Sequence, residues 1–532
     1  MFHQLLTPVG GSLPLSFVVA ALPVVVVLVM LGVLRRPAWQ AALSGVVVAL
    51  IVAVTLWRMP APMALNSTAA GMVFACWPVM WIVFNSLVLY NITVRTGRFD
   101  ALRRWMIEHM PSDKRVVLVV IGFGFGALLE GVAGFGTPIA ICSSLLIALG
   151  FPAMEALTFT LIFDTAPVAF GALGVPVTTL AGVTGLPAHD LGAMIGRQLP
   201  FMAFLLPFYV MTIYGGLKSI KALFPVLLVA GGSFALTQFA VSNFVDYTLT
   251  DVLSSLLSLL ATVGFLKVWK PEPDPAYAVA RIDADQSDTP TWQAWLPWAG
   301  LALVVIVWTT FKIAAIGDVK VPWPGLDKQV FITLYNKPYA AVWDFQPLAT
   351  GTAILVSAIL TAATLRVGPK AFLHCAWTSW KQIRMAVLTV SLIVGLAYLM
   401  NYSGLTYTLG LAVSHAGPAF PILSAFLGWL AVFLSGSDTS GNALFGNLQV
   451  VAAQQLNLSP VLMAATNSSG GVMGKMISPQ NIATGVAVTD LKGQEGAVLA
   501  KTFKHSIILT VLLGLLVMIQ QHLAPWMIPG GG

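Results

Sequence analysis

The residues that could do chemistry stand out because so little around them is polar. Of 532 residues, 58% are hydrophobic and only 9% are charged. Asp438 and Lys475 lie within residues 434–489, a stretch crowded with Gly, Ser, Thr and Asn. Glu130 and Asp164 sit in equally apolar surroundings in the first half. A charge at the bilayer centre costs roughly 2.5–3.5 kcal/mol on insertion scales, so such residues usually face a cavity or a partner. A carboxylate placed there can take up and release a proton, which makes Glu130, Asp164 and Asp438 candidates for proton coupling. Lys475, the one cation in the Gly-rich run Gly470–Met476, is a candidate anion contact. Ser437, Thr439, Ser440, Gly441, Asn442, Asn467, Ser468 and Ser469 could line a small polar site, with Gly134 and Gly136 leaving room for a ligand. The plain alternatives are structural ion pairs for the charged groups and interhelical glue for the Ser, Thr and Asn residues.

Lipid-facing helices do not have this composition. In hydrocarbon every backbone N–H and C=O must be paired within its segment, and irregular backbone survives only where it lines a cavity. The stretch therefore reads as two short apolar helices, each interrupted, with breaks at Ser435–Asn442 and Asn467–Gly474. Broken helices at membrane depth are how secondary transporters build a substrate site. The first half carries its own pair. Six glycines between Gly122 and Gly136 surround Glu130 and predict a break at Glu130–Pro138. Met154–Leu180 contains Asp164, Pro167 and Pro176 and is predicted to be interrupted as well. Glu130 precedes Pro152 by the same spacing as Asp438 precedes Pro460.

Apolar runs of about 20 residues recur along the chain, the signature of an all-α polytopic membrane protein. Span lengths predict about 12 transmembrane helices. No Lys or Arg precedes Arg35, so a cleaved signal with a basic n-region is not expected. Arg95–Arg115 carries six basic residues and is the strongest cytoplasmic marker. Counting back from it puts Arg35 and Arg36 inside and the N-terminus outside. Arg366–Arg384 is a second basic inner loop, and Gly317–Asp344 is predicted external. Lys270–Gln293, acidic and Pro-bearing, reads as an exposed linker. It divides the chain into an N-terminal half (1–268, broken motif at about 116–180), a linker (269–293) and a C-terminal half (294–532, broken motif at about 419–489). On this topology the first broken segment enters from the cytoplasm and the second from outside. That is the pattern of two inverted-topology repeats, each with Gly-rich broken helices or re-entrant hairpins.

Several function classes are excluded. The net charge of +7 sits in short loops, where it orients the chain in a membrane and offers no nucleic-acid surface. Cys76, Cys142 and Cys375 are far apart and form neither a disulfide framework nor a metal motif. The Gly122–Gly126 run lacks a βαβ context, and Gly474-Lys475 is followed by Met476, so neither is a nucleotide loop. The histidines show no metal spacing. No catalytic constellation is present, and no metal or cofactor is predicted. A passive pore needs no inverted pair of broken helices.

Four motifs carry a resemblance to a known family. LLEGVAGFGTPIAICSSLLIALGF and DTAPVAFGALGVP in the first half, with GSDTSGNALFGNLQVVAAQQ and NSSGGVMGKMISPQNIA in the second, closely resemble the bacterial L-lactate permease family. The hydropathy pattern agrees over nearly the whole chain. The resemblance implies uptake of L-lactate, and often D-lactate and glycolate, with protons across the cytoplasmic (inner) membrane. It also implies a wider ion-transporter superfamily with two inverted repeats bearing hairpins. One departure is visible: the resemblance leads to Asn where this chain has Asp164. The implied substrate, a small 2-hydroxymonocarboxylate, needs a cation or free half-helix N–H groups for its carboxylate. Its hydroxyl needs a Ser, Thr or Asn partner. Lys475 and the backbone at Gly441–Asn442 and Gly470–Gly471 suit the first need. The competing reading, a di- or tricarboxylate carrier driven by Na⁺, would want more buried cations than Lys475 and Arg197. The oligomeric state is left open, a homodimer included.

Overall fold

The computed structural model describes residues 1–134, 136–279 and 290–530. Among them, ten helices are long and apolar enough to cross a membrane. The count becomes eleven when Ala153–Phe163 and Val168–Thr184, bent by 62° at their break, are taken as one span. About 12 was expected, and this count takes the run that contains Leu199–Phe244 as a single span although it folds back on itself at Gly216. Half-helices beside a break are too short to be counted alone. Pro200–Gly216 and Leu223–Val241, expected as two spans, lie in one helical run, Leu199–Phe244. Gly216 turns that run through a left-handed conformation (φ 67°). The two limbs then pack so closely that a Cβ on Gly231 would lie 2.6 Å from the Phe204 carbonyl oxygen. The basic loop expected at Arg366–Arg384 is also mostly helical, because the Pro369–Ser403 helix begins within it and continues into the bilayer. Its exposed Trp377 and Trp380 suit an interfacial segment.

Two sets of contacts define the faces. On one face, Phe2–His3 pairs in parallel with Val330–Ile332, and Val319–Pro322 pairs antiparallel with Val342–Phe345. The N-terminus and the 317–345 segment thus share a face. On the other face, the start of the linker is strapped to the basic stretch. Asp113 bridges Ala278, and Arg115 stacks over Tyr277 at 4.3 Å and reaches Asp274 at 3.8 Å. Most of the described linker residues are exposed, as expected, while Asp274 and Tyr277 dock on Arg115, whose charge Asp113 and Asp274 share. Residues 280–289 of that linker lie outside the described residues. The Thr250–Val268 helix joins the faces. Before its start, Asp246 accepts a hydrogen bond from Thr309 at the foot of the 317–345 segment, and its end runs into the linker. At 1.5 Å per residue it spans about 28 Å, the thickness of a hydrocarbon core.

Within this frame two helical hairpins re-enter the molecule. The first descends through Gly126–Val132 and returns along Thr137–Ala148, with Gly134 and Gly136 at positive φ between the two arms. Lys114 Nζ donates to the Gly150 carbonyl at 2.8 Å, so both ends lie together on the linker face. The second runs down Phe420–Ser435, turns at Gly436–Ser437 and returns along Asp438–Gln455. Its arms are clasped where Gln449 Nε2 donates to the Ser424 carbonyl at 3.0 Å. Its return arm ends near Ser459, whose N–H reaches Gln521 at 3.2 Å. Asn447 and Gln454 on that arm line a cleft with Lys337 and Tyr339, which puts its open end on the 317–345 face. The hairpins open to opposite faces, and their tips meet inside.

The breaks differ from the predicted ones in two ways. Gly436 adopts φ 73° and helix resumes at Asp438, so Asp438–Asn442 is helical and the first break is confined to Gly436–Ser437. The break expected at Asn467–Gly474 is absent, because Pro460–Lys475 is one continuous helix. Its glycines serve close packing. A Cβ on Gly470 would lie 2.2 Å from the Ala425 oxygen, and one on Gly474 would lie 2.3 Å from the Trp429 oxygen. Small residues of this kind let membrane helices approach. The true break is Met476–Ser478, before Pro479–Ala487. In the first half the predicted breaks are present, where Gly126–Val132 ends before Thr137–Ala148 begins and from Asp164 to Gly174.

Candidate functional site

The two tips and the two broken helices enclose a cavity of about 50 Å³. Pockets for drug-sized ligands run to roughly 300–1,000 Å³, so this one suits only a very small ligand. Glu130, Gly134 and Gly136 line it from the first hairpin, and Ser437, Asp438 and Thr439 from the second. Residues 171–176 form one wall, and Lys475, Gln480 and Asn481 another. Three half-helices begin at it: Thr137–Ala148, Asp438–Gln455 and Pro479–Ala487. Their positive ends favour an anion.

Lys475 is the electrostatic centre. Its Nζ lies 2.6 Å from Glu130 Oε1 and 3.0 Å from Asp164 Oδ2, and all three side chains are buried. The contact ties the end of the Pro460–Lys475 helix to both broken elements of the first half. Gly171 makes room for it, since a Cβ there would lie 2.9 Å from Glu130 Oε1. An ammonium has three N–H donors, so one remains for a ligand. Asp438 forms no ion pair with Lys475 among the described residues. Its Oδ2 accepts hydrogen bonds from Ser468 Oγ and, at 3.3 Å, from Asn442 Nδ2, while Oδ1 has no hydrogen-bond partner among the described residues.

The remaining candidates stand behind the cavity wall. Asn467 Nδ2 donates to Asn442 Oδ1 at 2.9 Å and to the Gly441 carbonyl at 3.2 Å, and Asn467 Oδ1 accepts from Gln449 at 2.8 Å. Asn442 also donates to the Pro176 carbonyl at 3.2 Å, joining the second hairpin to the broken helix of the first half. Ser440 N–H is capped by Ser437 Oγ at 3.4 Å, Gly441 packs on Val432, and the buried Ser469 hydroxyl has no hydrogen-bond partner among the described residues. The structure thus brings seven of the sequence candidates to the cavity and keeps Asp164, Ser440, Gly441, Asn442, Asn467, Ser468 and Ser469 one layer back.

Sequence reasoning missed three residues. Gln480 and Asn481 line the cavity, and Asn481 Nδ2 donates to the Gly436 carbonyl at 3.1 Å, clasping the second tip. The signal was the Ser478-Pro479 pair, a helix start placing polar side chains just after a break. Asp251, fully buried beside Gly131, was passed over at the edge of an ordinary span.

Two clefts of about 480 and 540 Å³ lie under the 317–345 segment and share Gly182, Gly185, Tyr398 and Tyr402. The Gly171–Thr184 helix lines the cavity at one end and these clefts at the other, so it connects the 317–345 face to the site. A larger groove of about 830 Å³ is lined mainly by apolar side chains, among them the exposed Phe201, Leu205 and Leu236, and belongs to the lipid-facing surface.

The comparisons agree with this architecture. The L-lactate permease of Salmonella typhimurium is 41% identical over 98% of each chain. The glycolate permease GlcA of Escherichia coli is 39% identical over 98% of each. The solved structure of Neisseria gonorrhoeae MtrF, described among a class of antimetabolite efflux pumps, has a TM-score of 0.50 at 13% identity. It covers 93% of this chain and 97% of its own, a likeness of fold. The family profile described as L-lactate permease matches residues 16–524. This multi-pass membrane protein therefore belongs to the L-lactate permease family.

Proposed function

We propose that the protein imports L-lactate, with D-lactate and glycolate as further substrates, together with protons across the cytoplasmic membrane. The names of its relatives support the substrate class. The observation that carries the coupling is the charge of the interior. Glu130, Asp164 and Asp438 are buried at membrane depth with Lys475 as their one cation among the described residues. With those three carboxylates ionised, two negative charges stand in excess before any substrate arrives. Isolated ions cannot be held in a low-dielectric interior. A further anion enters such a site only if cations enter with it, and protons taken up by the carboxylates meet that need.

The substrate carboxylate takes the free donor of Lys475 and the half-helix ends at Asp438 and Pro479. Its hydroxyl takes Ser437, Thr439 or Asn481. Drawing Lys475 toward the substrate weakens its hold on Glu130 and Asp164, which favours their protonation. Binding of the anion and uptake of the proton are thereby linked. In this reading the two halves are inverted repeats, the N-terminus is outside, and each hairpin tip gates the site from its own face. Na⁺ is the alternative driving ion. Uptake of labelled L-lactate into proteoliposomes under an imposed pH or Na⁺ gradient tests the proposal. Accumulation driven by the pH gradient alone is expected. Accumulation with Na⁺ alone would replace the proton, and no lactate uptake under either gradient would sink the substrate.

A further inference from the structure

Asp251 is the carboxylate that the site does not use. It is 0% exposed, and neither of its oxygens has a hydrogen-bond partner among the described residues. It does not line the cavity. Its neighbours are the broken elements themselves. A Cβ on Gly131, the residue after Glu130, would lie 2.8 Å from the Asp251 Cβ. The turn that leads to Asp251 packs against the unwound residues 172–174, since a Cβ on Gly174 would lie 2.8 Å from the Tyr247 ring and 3.1 Å from the Thr248 Cα. Tyr247 and Thr178, on these two elements, also share a hydrogen bond of 3.1 Å. Asp251 therefore sits directly behind the first hairpin and its partner break. The ordinary task of an acid near a helix start, capping, is done by Asp246, which accepts from Thr248 N–H at 2.8 Å.

We infer that Asp251 is a second proton-binding site behind the substrate cavity, loaded in the closed arrangement and emptied when the first hairpin moves. This rests on the proton-coupled reading above. A dry carboxyl group without a donor is tolerated only with a proton on it or a cation beside it, and Lys475 is already held by Glu130 and Asp164. The charged groups facing Asp251 are Glu130, Lys475 and Asp164, with Tyr247 and Asp246 on the turn before it. The step is simple: one proton from water forms an O–H bond on the carboxylate and later returns to water on the opposite side. Movement of the first hairpin would shift Gly131, which packs directly against Asp251.

The test is Asp251→Asn, a neutral mimic of the loaded group, in reconstituted protein with the membrane potential clamped at zero. At equilibrium the lactate ratio then rises by one power of ten per pH unit for each proton carried, a shift of about 1.4 kcal/mol. Asp251→Asn should lower the ratio about tenfold under a gradient of one pH unit. Lactate counterflow between loaded vesicles should stay within about twofold, and Asp251→Glu should restore the ratio. Asp251→Ser, small and untitratable, gives the same readings should the Asn variant not insert. An unchanged ratio overturns the inference, as does equal loss of counterflow and accumulation, which marks a bracing role. Wild-type protein that fails to accumulate lactate under the pH gradient overturns the proton-coupled reading itself, and that control is read separately.

Discussion

Replacing Lys475 by Ala asks the most of the site as described. The side chain holds Glu130 at 2.6 Å and Asp164 at 3.0 Å, so the two carboxylates stand less than about 6 Å from each other. Without the ammonium they repel. At about 5 Å and an effective dielectric of about 20, two unit charges cost roughly 3 kcal/mol. Loss of one partner from a buried ion pair typically costs about 3–5 kcal/mol. That corresponds to roughly two to three and a half powers of ten in the equilibrium of the closed arrangement. Lys475→Ala should therefore lower thermal stability sharply as well as lactate affinity. Glu130→Gln should cost less, because Lys475 keeps Asp164. Adding Glu130→Gln to Lys475→Ala should recover much of the lost stability, since it removes the repulsion, and little of the affinity. Lys475→Arg should restore neither fully, because a planar guanidinium cannot occupy the place of a compact ammonium. Thermal unfolding of purified protein, followed with and without lactate, reads both quantities. Wild-type stability in Lys475→Ala, or a double variant no more stable than the single one, would refute the electrostatic argument.

Three further outcomes follow from the same geometry. Asp438→Asn should abolish accumulation of lactate driven by a pH gradient while leaving part of the exchange between loaded vesicles, because the acid lines the cavity without pairing to Lys475; normal gradient-driven uptake by this variant removes its coupling role. Gly470→Ala should destabilise the second hairpin by about 1–3 kcal/mol, the usual cost of overpacking, because its Cβ would lie 2.2 Å from the Ala425 oxygen; a melting temperature equal to wild type contradicts the packing. In whole cells an impermeant thiol reagent should label Lys328→Cys on the 317–345 face and spare Arg103→Cys on the linker face; the reverse pattern inverts the orientation proposed for the protein.

The sequence was most legible where polar residues interrupt hydrocarbon-length helices. Asp438, Lys475 and Glu130 are costly at membrane depth, and that cost alone marks them as partners or cavity residues. They meet at one cavity although 345 positions separate Lys475 from Glu130. The same signal misplaced the break in the Pro460–Lys475 helix. Asn467-Ser-Ser-Gly-Gly reads as irregular backbone, yet the helix keeps its own hydrogen bonds there and spends its small residues on contact with Ala425 and Trp429. Glycine at membrane depth has two uses, bending a chain and letting another chain approach. Composition does not separate them; the backbone does, through φ 73° at Gly436 and helical geometry at Gly470.

The matched spacing from Glu130 to Pro152 and from Asp438 to Pro460 hides a difference that bears on function. Pro152 and Pro460 each stand at the start of the next helix, so the spacing is structural. The acids, however, fall on opposite sides of their breaks. Glu130 ends the descending arm of the first hairpin, while Asp438 begins the returning arm of the second. Glu130 therefore meets Lys475 across the interface between the halves, whereas Asp438 is held by Ser468 and Asn442 within its own half. Lys475 ends the Pro460–Lys475 helix, and Asp164 follows the end of Ala153–Phe163. These two helix ends carry opposite charges and pair with each other. A pair of this kind closes the cavity when it forms and frees a cation for an anion when it parts. An Asn at 164 would leave Glu130 as the single anchor of Lys475. Asp164→Asn should for that reason loosen the closed arrangement less than Lys475→Ala does and free a donor of Lys475. Its measurable sign is an apparent lactate affinity equal to or tighter than wild type; an affinity loss as large as that of Lys475→Ala would show that Asp164 serves the substrate and not the lysine.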